Sequence, residues 1–333
     1  MVNFQAKLID SLFDSQIKQK PTRDGFGEGL VLAGEYNERV VALCADLTDS
    51  VRMKMFKERF PERFIEVGIA EQNMAAVASG LAASGKIPFI ASYATFSPGR
   101  NWEQIRTTIC YNNQPVKIAG AHAGVSVGPD GATHQALEDI ALMRVLPNMI
   151  VVVPCDSLEA QKATLAAIEI SKPVYLRFGR EKTPLFTTEE TPFKIGRAEI
   201  FWESETSVAK EKTIAIIGCG PLLYYCLKAA FELEKEGRGV IVVNNHTIKP
   251  LDEKTILEVA AKVKGVVTVE EHQIIGGLGS AISELLSEKY PLPMKFIGMK
   301  DCFGESGEPN ELLEKYQMTT KDIKKAVYQL FGS

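Results

Sequence analysis

The chain has 333 residues, enough at roughly 150 residues per domain for about two domains, and its 45% hydrophobic and 24% charged residues are those of an ordinary globular protein. A formal net charge of −4 excludes the broad basic field that a nucleic-acid or membrane-surface binder carries. The N-terminus bears early acids and no run reaches ~18 apolar residues, so neither a signal peptide nor a transmembrane helix is expected, and a soluble chain is.

In chain order, a helix from about 25 to 37 precedes an apolar strand at 38–44, and the small-residue segment 71–83 reads as a helix able to approach a sheet closely. Apolar strands follow at 86–93 and 116–121, with helical spacing at 102–110 between them. A glycine-rich loop occupies 124–135. A helix at 136–146, a strand at 149–154, a helix at 157–170 and a strand at 173–178 complete the first half. Nearly continuous apolar strands alternating with helices predict an α/β fold with a parallel sheet covered on both faces. The pattern breaks at 181–213, which is polar and rich in Pro and Thr, a linker composition with a short edge strand expected at 194–201. Strands then resume at 213–218, 239–244, 265–271 and 293–299, with helices near 221–236, 252–263 and 277–288 and closing helices within 309–331. This predicts two α/β domains, residues 1–188 and a smaller one over 189–333.

Cys44, Cys110, Cys155, Cys219, Cys226 and Cys302 are scattered, with no C-x-x-C and no Cys/His cluster. Neither a structural zinc site nor a disulfide framework is expected, and a reducing, cytoplasmic setting is. The turn Gly218-Cys219-Gly220 lies between a strand and a helix, as in dinucleotide-binding folds. Its third glycine is absent, and the next strand ends in Asn244-Asn245 where an acid would hold ribose. A tight packing turn is the expected reading.

Four segments carry candidate chemistry. Glu71 opens a helix after the turn Gly68-Ile69-Ala70; taken alone it could simply oppose the helix dipole. Tyr93, Phe96 and Trp102 crowd one loop, a pattern that core packing also produces. His122, Asp130 and His134 fall on or beside the glycine-rich loop, so that two of only four histidines in the chain lie here. Arg177 and Arg180 lie at the end of a strand, where Arg suits phosphate oxygens as well as a surface ion pair.

Together GIAEQNM (68–74), YATF (93–96), GVSVGPDGATHQ (124–135), the strand ending near Arg180, TIKPLD (247–252) and VEEHQIIGGLGSA (269–281) resemble the transketolase family of thiamine-diphosphate enzymes, in the same order and over nearly the whole chain. The resemblance implies a pyrimidine-binding α/β domain followed by a smaller, mostly parallel C-terminal domain. The family's first domain, with its GDG metal signature, has no counterpart here, so the chain is expected to be a complete C-terminal subunit that works with an N-terminal, diphosphate-binding partner. The resemblance implies that Glu71 hydrogen-bonds N1′ of the aminopyrimidine, with Tyr93 and Phe96 against the ring and Asp46 and Leu47 beside the coenzyme. It places His122, with Glu71, among the catalytic groups, and Arg23, Arg100, His122, Asp130, His134, Arg177 and Arg180 toward a sugar phosphate. A serine that contacts phosphate in relatives is expected to be replaced here by Gly27. Mg2+ or Ca2+ is implied with the diphosphate, held mainly by the partner, in a complex of two copies of each chain. Transketolase of the pentose phosphate pathway is the leading reading. A 1-deoxyxylulose-5-phosphate synthase-like subunit, a 2-oxo acid dehydrogenase E1 beta-like subunit and a non-catalytic relative remain as alternatives.

Overall fold

The structure, a computed structural model, describes residues 1–204 and 212–332. Its strands are β1 (Gln19–Pro21), β2 (Val40–Cys44), β3 (Phe64–Glu66), β4 (Ile87–Tyr93), β5 (Lys117–Ala121), β6 (Ile150–Val152), β7 (Val174–Arg177), β8 (Lys182–Pro184), β9 (Glu199–Glu203), β10 (Thr213–Gly218), β11 (Gly239–Asn244), β12 (Thr247–Lys249), β13 (Gly265–Gln273) and β14 (Met294–Met299).

Two large sheets organise the chain. A seven-stranded sheet has the order β12-β6-β7-β5-β4-β2-β3, and a five-stranded sheet the order β14-β13-β10-β11-β9. Both are parallel apart from β12 in the first and β9 in the second, which pair antiparallel with β6 and β11. Every residue of β2, β5, β10 and β11 is buried, which is why these strands read as nearly continuous apolar runs, with the buried Lys117 the charged exception in β5. The helix Glu71–Ala83 lays Met74, Ala75, Ala78 and Ala82 on one face of the first sheet. Helices Thr22–Tyr36 and Ser157–Ile168 pack side by side on the other.

The two sheets share one core. Val151 and Val153 of the first cluster with Ile217, Ile241 and Val243 of the second. Strand β12 carries this further, because the chain leaves the second sheet after β11 and returns to pair with β6 at the edge of the first. The Gly218–Gly220 turn belongs to the same junction: the Gly220 N–H donates to Val153 O at 3.1 Å. The turn also packs one domain on the other, a contact beyond the strand–helix packing turn expected from the sequence.

Several boundaries differ from expectation. The edge strand lies at Glu199–Glu203, where Phe201 and Trp202 are buried, rather than at 194–201. The expected linker also holds β8, paired with β1, and its part over 205–211 lies outside the described residues. The helix expected over 102–110 is α only at Trp102–Gln104 and continues as a wider π-helical stretch at Ile105–Tyr111. There the hydroxyls of Thr107 and Thr108 bond to the carbonyls of Glu103 and Gln104, four residues back, in competition with the backbone ladder. All six cysteines are free, and no described helix is long and apolar enough to cross a membrane.

Candidate active site

Because β2, β3, β4, β5 and β7 run parallel, their carboxyl ends lie along one edge of the sheet, where open α/β folds place their sites. Asp46 and Leu47 follow β2, Glu71 follows β3, Tyr93 ends β4 with Phe96 just beyond, His122 follows β5, and Arg180 lies three residues past β7. Arg23, near the start of helix Thr22–Tyr36, reaches the same edge from outside the sheet and meets His122.

Glu71 is the first residue of its helix and is only 1% exposed. The turn before it depends on Gly68, whose φ of +69° is costly for any residue with a Cβ. The carboxylate of Glu66 pins this turn to the loop after β2. It accepts from the N–H groups of Gly68 (3.1 Å) and Asp46 (2.8 Å) and from the Thr48 hydroxyl (2.8 Å). Glu71 Oε2 receives Arg100 Nη1 at 2.7 Å, and Glu71 O receives the amide of the fully buried Asn101 at 3.1 Å. The Arg100 guanidinium lies 4.7 Å from the centre of the Phe96 ring. Arg100, expected at the sugar, is thus held at the buried carboxylate instead.

A file of rings leads away from this carboxylate. Phe96 and Tyr93 lie near parallel with centroids 6.1 Å apart, and Tyr93 stacks on His122 at 3.8 Å. His134 stands edge-on to Phe96 and Tyr93, at 5.6 and 6.0 Å. At the far end Arg23 Nη1 lies 3.0 Å from His122 Nε2. Arg can only donate, so Nε2 is the acceptor and the imidazole proton sits on Nδ1. Burial, then the charges of Arg23, Arg180 and Arg52, push the pKa of His122 down to about 3, so its ring is neutral across ordinary pH. Its φ of +54° is another strained feature at this edge. Burial and the neighbouring Arg52 likewise lower Arg23. Arg23 Nε and His122 Nδ1 are buried donors without a partner among the described residues, a pairing deficit that an anionic or hydroxylated ligand would fill.

Not every expected residue joins this group. Arg177 is 5% exposed and its guanidinium is committed to Asp139 (2.7 and 3.2 Å), Ala136 O (3.2 Å) and Glu271 O (2.8 Å). It is a buried tie between the two domains, not a sugar contact. Asp130 is exposed on the glycine-rich loop, and His134 is half-buried with Nδ1 beside the Thr133 hydroxyl. Gly27 does not stand in for a phosphate-binding serine: a Cβ there would strike Arg52 O at 2.6 Å, so it is a packing position. The serine beside the cations is Ser50, whose carbonyl accepts from Arg23 Nη1 at 3.0 Å. Ser50, Arg52 and Glu66 were not singled out from the sequence. Arg52 sits in left-handed backbone (φ +65°) in the segment after β2 that also carries Asp46 and Leu47, bonded through Nε to Asp24 at 2.6 Å. Only the fold brings it to Arg23.

A carboxylate buried at a helix start beside an aromatic ring suits the aminopyrimidine of thiamine diphosphate, a flat heterocycle that needs one hydrogen bond at its edge. The cationic end suits an anionic substrate group. Residues 18–184 match the family described as "Transketolase, pyrimidine binding domain" and residues 205–323 match "Transketolase, C-terminal domain". The chain is 41% identical to a "Putative transketolase C-terminal section" of Methanocaldococcus jannaschii, over 93% of this chain and 96% of that one. It is 36% identical to the 6-deoxy-6-sulfo-D-fructose transketolase subunit SqwH of a Clostridium species, over 96% and 97%. A solved structure described as "Split gene transketolase, inactive beta4 tetramer" superposes with a TM-score of 0.86 at 44% identity, covering 94% of this chain and 98% of that one. With both domains matched in order, and with similar chains of nearly equal length, this chain belongs to the transketolase family.

Proposed function

We propose that the chain is the C-terminal subunit of a thiamine-diphosphate-dependent transketolase, moving a two-carbon ketol unit between ketose and aldose phosphates together with an N-terminal partner chain. The observation that carries this reading is the continuous file from the buried Glu71 carboxylate through Phe96, Tyr93 and His122 to Arg23. In this reading residues 1–188 hold the pyrimidine and residues 189–333 form the C-terminal domain.

Bound at the sheet edge, the coenzyme supplies the electron sink for carbon–carbon bond cleavage. Glu71 holds the hydrogen bond at pyrimidine N1′ in a pocket where burial strengthens it. Phe96 and Tyr93 flank the ring, with Leu47 and Asp46 beside them. Arg100 occupies one acceptor position of the Glu71 carboxylate, and the remaining acceptor capacity of that group would be what N1′ meets. Arg23, Arg180 and neutral His122 hold the anionic end of the sugar, while Asp130 and His134 meet its hydroxyls from the glycine-rich loop. The sulfo-sugar named for the Clostridium relative supports this, since a sulfonate and a phosphate ask the same of an arginine cluster. The diphosphate and its Mg2+ or Ca2+ are assigned to the partner, in a complex of two copies of each chain. The description of the solved relative as an inactive beta4 tetramer supports a chain that assembles with itself and needs that partner.

The test is Glu71→Ala in the complex reconstituted with an N-terminal subunit, assayed for ketol transfer. A loss of at least ~10²–10⁴ in kcat is expected for a group that governs proton transfer. Full activity would sink the reading.

A further inference from the structure

The glycine-rich loop that carries Asp130 and His134 belongs to the first domain, yet much of what holds it comes from the second. Glu271, near the end of β13, sends its buried carboxylate across the domain boundary, and Oε1 accepts the Ser126 N–H at 2.6 Å. The loop fits closely over this group: at Gly124 (φ +94°) a Cβ would lie 2.3 Å from Glu271 Oε1. At the other end of the loop the Gln135 amide donates to Val125 O at 3.0 Å and to Glu305 O of the second domain at 2.9 Å. Glu271 is itself fixed from behind, because Arg177, paired with Asp139, donates to Glu271 O at 2.8 Å. The same residue lines the cleft of about 640 Å³ that also holds Arg23 and Arg180.

We propose that Glu271 is a positioning residue for the sugar: the C-terminal domain moulds the glycine-rich loop, and the Glu271–Ser126 hydrogen bond sets where Asp130 and His134 stand. The effect on the sugar rests on the functional reading above; the effect on the loop does not. Within this loop Val125–Asp130 forms a short 3-10 stretch that the second domain holds in place, and loosening it costs substrate affinity before it touches the coenzyme.

The experiment has two readouts on the full chain in the reconstituted complex. The first is amide hydrogen exchange across 124–135, and the second is steady-state kinetics with a ketose phosphate. Glu271→Ala is expected to speed exchange in the loop by about tenfold, the loss of one buried hydrogen bond. It should raise the sugar KM by a similar factor with kcat and coenzyme affinity little changed. Glu271→Gln keeps an acceptor oxygen and should restore both. Gln135→Leu, which cuts the other tie, should loosen the loop in the same way and keeps the test open if Glu271→Ala fails to fold. Unchanged loop exchange in Glu271→Ala, or equal effects of Ala and Gln, would overturn the proposal. If the wild-type complex transfers no ketol unit, the functional reading fails, and loop exchange alone still decides the role of Glu271.

Discussion

Raising the pH should weaken the joint between the two domains, through Glu159. This residue lies in helix Ser157–Ile168, 1% exposed. Its Oε2 accepts the Cys155 N–H at 2.6 Å, and its Oε1 accepts the amide of Asn244, the last residue of β11, at 2.7 Å. Burial dominates and pushes the carboxyl up from 4.5 to about 7, against the pull of the Cys155 hydrogen bond and with the help of the Asp156 charge. The folded chain therefore binds this proton more tightly than the unfolded one. The stability this contributes is fully present below about pH 4.5 and is lost as pH rises through about 7. At ~1.4 kcal/mol per unit, the difference amounts to ~3 kcal/mol, most of it lost between pH 5 and 8. Glu159→Gln removes the titration, and Asn244 can accommodate it by turning its amide, whose Oδ1 has no partner among the described residues. Urea midpoints of both proteins between pH 5 and 8 give the assay. Their difference should move by most of that amount in favour of the variant as pH rises. A difference that stays constant over that range would refute the reasoning.

Arg177→Met leaves the Asp139 carboxylate buried with only the Tyr175 hydroxyl, at 2.7 Å, among the side chains that bond it, and should cost ~3–5 kcal/mol in denaturant unfolding; Arg177→Met with Asp139→Asn should recover much of it. A change in sugar KM without loss of stability would instead return Arg177 to the substrate. The chain has four histidines, so their ring signals can be followed one by one by NMR. His122 and His246, both pushed down to about 3 with burial as the main cause, should stay neutral at pH 5, and their contribution to stability falls as pH drops from 6.5 toward 3. A His122 midpoint near 6.5 would contradict the buried, arginine-flanked geometry.

The sequence made the parallel strands legible because strands buried on both faces have no polar face to interrupt the run, as in VVALC and TIAIIG. Short elements were harder to see. Strand β12 pairs two of its residues with β6 across the domain junction, a partnership of distant segments that no local period records. The π-helical stretch at Ile105–Tyr111 arises from threonine hydroxyls inside an otherwise helical pattern. At the site, Tyr93, His122 and Arg180 stood out because each ends or follows a readable strand, and Glu71 because it opens a readable helix after the Gly68-Ile69-Ala70 turn; the three-residue β3 before that turn was not legible. Arg52, Ser50 and Glu271 did not, since their partners lie 27 to 145 residues away. Arg177 was read toward substrate because a basic residue at a strand end gives no sign of an acid 38 residues earlier waiting beneath it.

The most direct test of an active site divided between two chains is calorimetric titration of thiamine diphosphate with Mg2+, first into this chain alone and then into its mixture with a transketolase N-terminal subunit. Binding is expected only in the mixture, abolished or greatly weakened by removing the Mg2+, if this chain, as proposed, offers the pyrimidine edge and the partner the diphosphate. Tight binding to the chain alone would contradict the division of the active site between two chains.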